Sequence, residues 1–116
     1  MTALAGVVGA VGDRPLSDIC SASLSAQRLY GQRGKHLRET DQACFGIDLF
    51  ETLPEDSLDR QPLLNGRFLL VADLRLDNRR EILAAIGHGE IQDTLSDAGI
   101  LLLAWERWQE NCVPRL

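Results

Sequence analysis

The stretch FLLVADLRLDNRREILAAIG (residues 68–87) passes from the pattern of a strand to the pattern of a helix. Within residues 71–76, two sets of side chains alternate along the chain. One set, Val71, Asp73 and Arg75, carries two charges, and the other, Ala72, Leu74 and Leu76, is wholly apolar. Because successive side chains of a strand point to opposite faces, this alternation predicts a half-buried strand over Phe68–Leu76.

The residues after this strand predict a short helix. Asn78 is suited to the N-cap, and Glu81 follows it at the spacing of a capping box. Gly87 is a typical C-terminal stop. We expect this helix to bury its apolar residues, which are Ile82, Leu83 and Ile86.

A longer helix is predicted to begin at Ser96, with Asp97 favourably placed at the positive end of the helix dipole. Its apolar residues recur at steps of three and four: Leu101, Ala104, Trp105, Trp108 and Cys112. Together the last two helices must bury a wide apolar face that contains both Trp residues, and we expect nothing after Leu116 to cover it.

The first half of the chain predicts two strands and one helix. A Gly-rich apolar strand is expected over Ala3–Val11, and a second strand over Cys44–Phe50. Between them a helix is predicted over Leu16–Tyr30, with Ser17 as its N-cap. The residues expected on its apolar face are Ile19, Ala22, Ala26 and Leu29.

Two polar segments, Gly31–Gln42 and Thr52–Pro62, are predicted to be loops. The order of elements is then strand, helix, strand, strand, helix, helix. This order predicts an α+β fold in which three or four strands form one sheet, with room for part of a second.

Length and charge limit the class of protein. The 116 residues suit a single domain over 1–116, and a formal net charge of −5 argues against nucleic-acid binding. No apolar run approaches the roughly 20 residues of a membrane helix. No Lys or Arg precedes Asp13, as a secretory signal would require. We therefore expect a mature cytoplasmic chain that binds neither nucleic acid nor a membrane.

Few residues form a recognised chemical motif. The cysteines are odd in number and widely spaced, so we expect buried free thiols at Cys20, Cys44 and Cys112. His36 and His88 lack the spacing of metal ligands, and there is no Gly-rich phosphate loop followed by Lys and Ser or Thr.

Thr2 is a candidate nucleophile of a specific kind. Its small size permits removal of Met1, which would expose a free α-amine on Thr2. An N-terminal threonine can use that amine as the general base for its own hydroxyl.

Four segments carry a resemblance to a known family. MTALAGVV (1–8) is similar to Met-Cys-Gly-Ile-Ala-Gly-Val-Val, and GQRGKH (31–36) to a His-Arg-Gly-Pro-Asp loop. QPLLNGRFLLVADLRLDNRREILAAIG (61–87) is similar to a central strand and the helix after it. LSDAGILLLAWERWQENCVPRL (95–116) is similar to a Ser-Asp-Thr-Glu helix with a Trp-Gly-x-x-Cys ending. Together they resemble the N-terminal glutaminase-type domain (glutamine amidotransferase type 2) of the asparagine synthetase family.

The resemblance implies an N-terminal-nucleophile (Ntn) hydrolase fold, an αββα sandwich of antiparallel sheets flanked by helices. The family domain is about twice as long, so the chain is expected to be truncated and to correspond to its first half. Relatives continue with a Gly-Asp-Phe-Ala-Phe strand and an ATP-dependent synthetase domain.

This relationship also implies cofactors and partners. ATP and magnesium belong to the synthetase domain, and no cofactor is implied for these 116 residues. The implied partners are the synthetase domain or a second copy of this chain. A peptide or small-molecule substrate is expected to reach the parent enzyme.

Most family roles in glutamine hydrolysis are altered at the matching positions. Thr2 replaces a cysteine nucleophile, and its hydroxyl is less acidic than a thiol. The arginine that binds the glutamine carboxylate is expected within Gly46–Asp48, which contains none. The oxyanion Asn-Gly pair falls on Asp73 and Leu74, and an anionic Asp73 would repel a developing oxyanion.

Two further positions match the acidic pair that receives the glutamine amine. Asp97 keeps its carboxylate, whereas Gly99 replaces a glutamate. The resemblance therefore implies a degenerate active site. The ADLRLDNRREIL version of the strand (72–83) is most similar to lasso-peptide cyclases and β-lactam synthetases, ligases whose N-terminal domain serves as a scaffold.

The sequence leaves three functions open. The first is an inactive glutaminase-like domain that supports ATP-dependent amide-bond formation by the parent enzyme. The second is an active amidotransferase in which Thr2 is the nucleophile that supplies ammonia, and the third is a free-standing dimeric binding module. The family alignment predicts that Thr2 lies at a strand start near Asp73.

Overall fold

The computed structural model describes residues 1–9, 12–27, 30–31 and 33–116, without the side chain of Gln92. This part of the chain forms two compact units. The first unit comprises Met1–Thr52 and Arg60–Asp73, and the second comprises Leu53–Asp59 and Leu74–Leu116. Helices occur together with antiparallel sheets, so the predicted α+β class is confirmed.

The first unit contains a three-stranded antiparallel sheet in the order β1–β3–β2. Its strands are β1 (Ala3–Val8), β2 (Lys35–Glu39) and β3 (Ala43–Asp48). Asp48 of the central strand pairs with Ala3 on one side and with Lys35 on the other. The register therefore brings the start of β1 to the end of β3.

Helix α1 (Leu16–Ala26) packs on this sheet with residues spaced four apart. Leu16, Cys20 and Leu24 are its buried residues. A Cβ atom on Gly46 of β3 would lie 2.8 Å from Cδ1 of Leu24 and 3.1 Å from Sγ of Cys20. The helix thus approaches the sheet so closely that glycine is required at position 46.

The apolar face predicted for this helix is wrong. Ala22 and Ala26 are exposed, and Leu29 lies outside the described residues. Cys20 and Leu24 bury larger side chains against the sheet than two alanines could. The gain from apolar burial grows with the area removed from water, so packing selects this other face.

Several predicted boundaries also shift. The strand β1 ends at Val8, and the predicted end at Val11 lies outside the described residues, as does position 10. The strand β3 begins one residue earlier and ends two residues earlier than predicted. Helix α1 ends at Ala26, and Pro15 rather than Ser17 occupies its N-cap.

The strand β2 lies in the segment predicted to be a polar loop, and that prediction is wrong. All five of its residues are exposed, so no apolar alternation marks it. Charged side chains suit its place at the edge of the sheet. Thr40 closes the turn to β3: its N–H donates to the carbonyl of Ala43 at 2.7 Å, and its Oγ1 accepts from the Ala43 N–H at 3.2 Å.

The first unit also contains a two-stranded antiparallel sheet, formed by β4 (Leu63–Asn65) and β5 (Phe68–Leu70). The predicted strand over Phe68–Leu76 is therefore correct only for its first three residues. Residues 71–76 are not in a strand, and side chains bind the backbone N–H groups of Ala72 and Leu76.

The second unit contains helices α2 (Arg79–Ile86) and α3 (Asp97–Trp108). Its 3-10 segments are Pro54–Leu58, Gly89–Thr94 and Gln109–Arg115. The first of these lies within Thr52–Pro62, which the sequence predicts to be a loop.

The predicted caps of the two helices have different outcomes. Gly87 ends α2 with a φ of 83°, and the Ser96 Oγ at the start of α3 accepts from the third-residue N–H at 3.2 Å, so both predictions are confirmed. Asn78 stands at the N-cap of α2, but its Nδ2 donates to the carbonyl of Arg115 at 2.7 Å. The predicted capping box with Glu81 does not form, because the Asn78 side chain makes no cap hydrogen bond.

The core of the second unit lies between α2 and α3. Its buried residues are Leu76, Ile82, Leu83, Ile100, Ala104 and Cys112, with Trp105 and Trp108 half-buried against them. The two helices bury part of the predicted apolar face against each other, and the expected lack of a further cover stays a prediction.

Gln109, the C-cap of α3 and first residue of the last 3-10 segment, has a strained backbone conformation. Its φ is 52° and its ψ is −135°, and it alone among the described non-glycine residues has a positive φ. Packing fixes the residues on either side of Gln109. The Arg115 guanidinium lies 4.5 Å from the ring centroid of Trp108, and Cys112 is fully buried. A positive φ costs a residue with a Cβ atom roughly 1–2 kcal/mol.

The substitution Gln109→Gly should raise the free energy of unfolding by about 0.5–1 kcal/mol, measured by urea denaturation. Glycine removes the strain, which outweighs its greater chain entropy in the unfolded state. Glu110→Gly, at an exposed neighbour with an ordinary φ, is the matched control and should lower stability. Equal destabilisation by both variants would show that position 109 is not strained.

Candidate functional site

Thr2 lies immediately before β1, as predicted, and is half-buried. Its Oγ1 accepts a hydrogen bond from the N–H of Phe50 at 3.2 Å. The carbonyl of Met1 accepts another from the N–H of Gly31 at 2.7 Å. The hydroxyl keeps its own proton for donation. The expected closeness of Thr2 to Asp73 stays a prediction.

Arg33 lies near the position at which the resemblance predicts the carboxylate-binding arginine. Gly46–Asp48 has no arginine, but the N–H of Arg33 donates to the carbonyl of Leu49 at 3.2 Å, just beyond β3. The Arg33 guanidinium pairs with the carboxylate of Glu51 at 3.3 Å. An arginine therefore reaches this end of the sheet, and an acidic residue balances its charge.

The buried side chain of Gln61 takes the place of a strand residue beside Ala72. Leu63 pairs with Leu70 in the β4–β5 register, and two more steps of that register set Gln61 opposite Ala72. Gln61 Nε2 donates to the Ala72 carbonyl at 2.9 Å, and the Ala72 N–H donates to Gln61 Oε1 at 2.5 Å. The side-chain amide thus makes both bonds of a paired peptide and fixes the residue before Asp73.

The two positions predicted for the oxyanion site lie in different units. Asp73 ends the first unit and its side chain is exposed. Leu74 begins a segment of the second unit and packs against the core of that unit. An ionised carboxylate accepts hydrogen bonds and donates none, so Asp73 cannot stabilise an oxyanion by donation.

Asp97, which the resemblance predicts to match one member of the amine-binding pair, is only 7% exposed. Its Oδ2 accepts the N–H of Leu76 at 2.9 Å. Its Oδ1 forms an ion pair with Nη1 of Arg79, whose Nη2 donates to the carbonyl of Leu95 at 2.7 Å. Both carboxylate oxygens have partners, and a guanidinium balances the buried charge.

Gly99, which the resemblance predicts to match the other member of that pair, lies in the first turn of α3. Its N–H donates to Oγ of Ser96 at 3.2 Å. A Cβ atom there would lie 3.5 Å from Cδ2 of Leu95, which is an ordinary contact. Gly99 therefore serves the cap of α3 and adds no second carboxylate beside Asp97.

Sequence reasoning missed two residues of this region, Arg79 and Gln61. Arg79 is the first residue of α2, where the positive end of the helix dipole disfavours a cation. That anomaly is a usable signal, because an arginine at a helix start needs a nearby acceptor. Gln61 offers no comparable signal, since its partner is a backbone peptide eleven residues away.

The three cysteines are free and fully buried, as predicted. Burial, with a smaller effect from the neighbouring Cys44, raises the pKa of Cys20 from 9.0 to about 11. Burial also raises the pKa of Cys44 and of Cys112. A buried protonated thiol is a poor nucleophile, so we assign none of the three to the role of the missing family cysteine.

The substitution Gln61→Glu should lower the free energy of unfolding by about 1–3 kcal/mol. An ionised carboxylate cannot donate to the Ala72 carbonyl and would face it with like charge. Urea denaturation measures the change. Gln42→Glu, in the exposed β2–β3 turn, is the matched control and should change stability by less than about 0.5 kcal/mol. Similar losses in both variants would argue against the amide pairing.

Alkaline pH should destabilise the protein partly through Cys20. The pKa of this thiol is higher in the folded than in the unfolded chain, so the unfolded chain loses the proton first. Its contribution to stability is fully present below pH 9.0 and is lost as the pH rises through about 11. Between about pH 8 and about pH 10.5, Cys20→Ala should lose less unfolding free energy than the native chain. Equal losses would exclude a contribution from Cys20.

No family model, no curated protein and no solved structure gives a significant match to this chain. None of the described helices is long and apolar enough to cross a membrane. Within the described ranges, no three His, Cys, Asp or Glu residues form a group that could hold a metal ion.

Proposed function

We propose that this chain is a catalytically inactive glutaminase-like domain of an asparagine synthase-related ligase that forms amide bonds with ATP. Its role is to support the synthetase domain, as in the lasso-peptide cyclases and β-lactam synthetases that the sequence resembles. The internal use of Asp97 carries this proposal: the one retained residue of the amine-binding pair is engaged by the chain itself.

An amino-acid ammonium group would need the negative charge of Asp97. Arg79 already supplies a full positive charge at Oδ1, and the N–H of Leu76 occupies Oδ2. A second cation would have to displace Arg79 or share a charge that is already balanced. Since Gly99 provides no second carboxylate, this arrangement disfavours binding of the glutamine amine.

The nucleophile and oxyanion positions support the same conclusion. The hydroxyl of Thr2 is a weaker nucleophile than a cysteine thiolate unless a base activates it. The exposed carboxylate of Asp73 would repel the negative charge that develops during amide hydrolysis. The Arg33 cation comes from a different segment than the family arginine and is paired with Glu51.

Two backbone conformations support the family resemblance. The glycine of the Trp-Gly-x-x-Cys pattern falls on Gln109, which has a φ of 52°. The glycine of the Arg-Gly loop falls on Gly34, which has a φ of 95°. Glycine is favoured at both positions, because residues with a Cβ atom rarely adopt a positive φ. At position 109 the backbone conformation suits the family residue better than the residue present.

In this proposal, residues 1–116 are the first half of an Ntn-type αββα domain of a cytoplasmic enzyme. The partner is the synthetase domain, or a second copy of this chain, and no nucleic acid or membrane takes part. A peptide or small-molecule substrate, ATP and magnesium act in the synthetase domain. This chain supplies no phosphate-binding loop, so no step of ATP chemistry is assigned to its residues.

The native chain, with Met1 removed, should release no more ammonia from glutamine than Thr2→Ala does. The physical reason is the combined lack of a thiolate, an oxyanion donor and a free amine receptor. An ammonia-coupled assay measures the release, and mass spectrometry checks Thr2 for a γ-glutamyl ester.

Ammonia release that is lost in Thr2→Ala and kept in Thr94→Ala would contradict the proposal. It would favour the second candidate, an active amidotransferase with Thr2 as nucleophile. The Thr94 hydroxyl donates to the carbonyl of Ile91 within a 3-10 segment, so this variant is a control for loss of a threonine elsewhere.

A further inference from the structure

The acceptors around Asp97 form a site suited to a planar cation. The Asp97 carboxylate is buried. Its Oδ1 binds Nη1 of Arg79, and the carbonyl of Leu95 accepts from Nη2 of the same guanidinium. Ser96 caps α3 between these two acceptors and thereby holds their spacing. Two fixed acceptors side by side match the forked donors of a guanidinium group.

The cation that fills this site comes from an unfavourable position on its own helix. Arg79 is the first residue of α2, where the helix dipole repels a positive charge. Its side chain is nevertheless 16% exposed, whereas that of nearby Arg75 is 69% exposed. The Asp97 carboxylate and the Leu95 carbonyl at the start of α3 therefore offset the unfavourable position of Arg79 on α2.

We propose that Arg79 is a built-in ligand: its guanidinium fills a cation site formed by Asp97 and the Leu95 carbonyl, and closes that site to external amines and guanidinium ions. The ligand class follows from the acceptors, which require a small cation with N–H donors. The meaning of this closure for amino-acid binding rests on the proposed function. The closure itself rests on the contacts of Arg79.

Removing the guanidinium should turn the closed site into an open one. Arg79→Ala should be destabilised and then restabilised by millimolar guanidinium or methylammonium chloride. The folded-to-unfolded ratio should rise by a factor of 1 + [L]/Kd, which is about elevenfold at ten times Kd. Urea denaturation at constant ionic strength measures the ratio.

Four controls isolate the site. The native chain and Arg79→Lys, which both keep a cation, should not respond to the added ions. The double variant Arg79→Ala/Asp97→Asn should not respond either, because the acceptor charge is gone. Tetramethylammonium has no N–H donor and should not restabilise Arg79→Ala. A folded Arg79→Ala that ignores guanidinium, or a response equal to that of the native chain, would overturn the proposal.

A measurement on the native chain decides the matter if Arg79→Ala does not fold. In ¹⁵N NMR spectra, the Arg79 side-chain N–H groups should exchange slowly with water and show hindered rotation. The exposed Arg75 should show fast exchange and averaged signals. Averaged Arg79 signals like those of Arg75 would overturn the proposal. Ammonia release by the native chain would instead contradict the proposed function, so the two failures are distinguishable.

Discussion

The buried carboxylate of Asp97 is the group on which the second unit depends. It accepts the backbone N–H of Leu76 and pairs with Arg79, the first residue of α2. Asp97 is itself the first residue of α3. A buried charge is tolerated only when it is paired and hydrogen-bonded. Loss of one partner of such a pair typically costs about 3–5 kcal/mol, a large part of the roughly 5–15 kcal/mol that stabilises a domain. The starts of both helices are therefore placed by one electrostatic requirement.

A second constraint lies after β5, where side chains rather than a neighbouring strand bind the backbone groups of the chain. The amide of Gln61 binds both backbone groups of Ala72, and Asp97 binds the N–H of Leu76. Buried backbone groups need partners, and these side chains supply them where no strand does. Asp73 and Leu74 lie between the two anchored residues. The backbone of Asp73 and Leu74 can thus run outside a β-sheet while the N–H groups of Ala72 and Leu76 keep hydrogen-bond partners.

Local signals in the sequence predicted the elements whose causes are local. The cap at Ser96, the stop at Gly87 and the apolar residues of α2 all follow from neighbours within four positions. The strand β2 was missed because all five of its residues are exposed at a sheet edge. The face of α1 was misjudged because Gly46, distant in sequence, admits Leu24.

The site shows the same division between local and distant causes. The position of Thr2 before β1 and the candidate role of Asp97 could be inferred from the sequence. The pairing of Asp97 with Arg79 could not, because it joins residues eighteen positions apart through a side-chain contact. The charge of Arg79 at a helix start was visible, but only the structure shows which carboxylate compensates for it.

Within the proposed function, the ion pair of Asp97 and Arg79 makes the positions that differ from the family pattern unequally easy to change back. Thr2 is half-buried and Asp73 is exposed, so single substitutions at either one disturb little buried structure. A change at Arg79 alone leaves the Asp97 carboxylate buried without its counter-ion, and a change at Asp97 alone strands the guanidinium. Any single substitution that opens Asp97 to an external amine would therefore destabilise the chain. Within the proposed function, the obstacle to glutamine binding lies in the ion pair more than in the missing thiol.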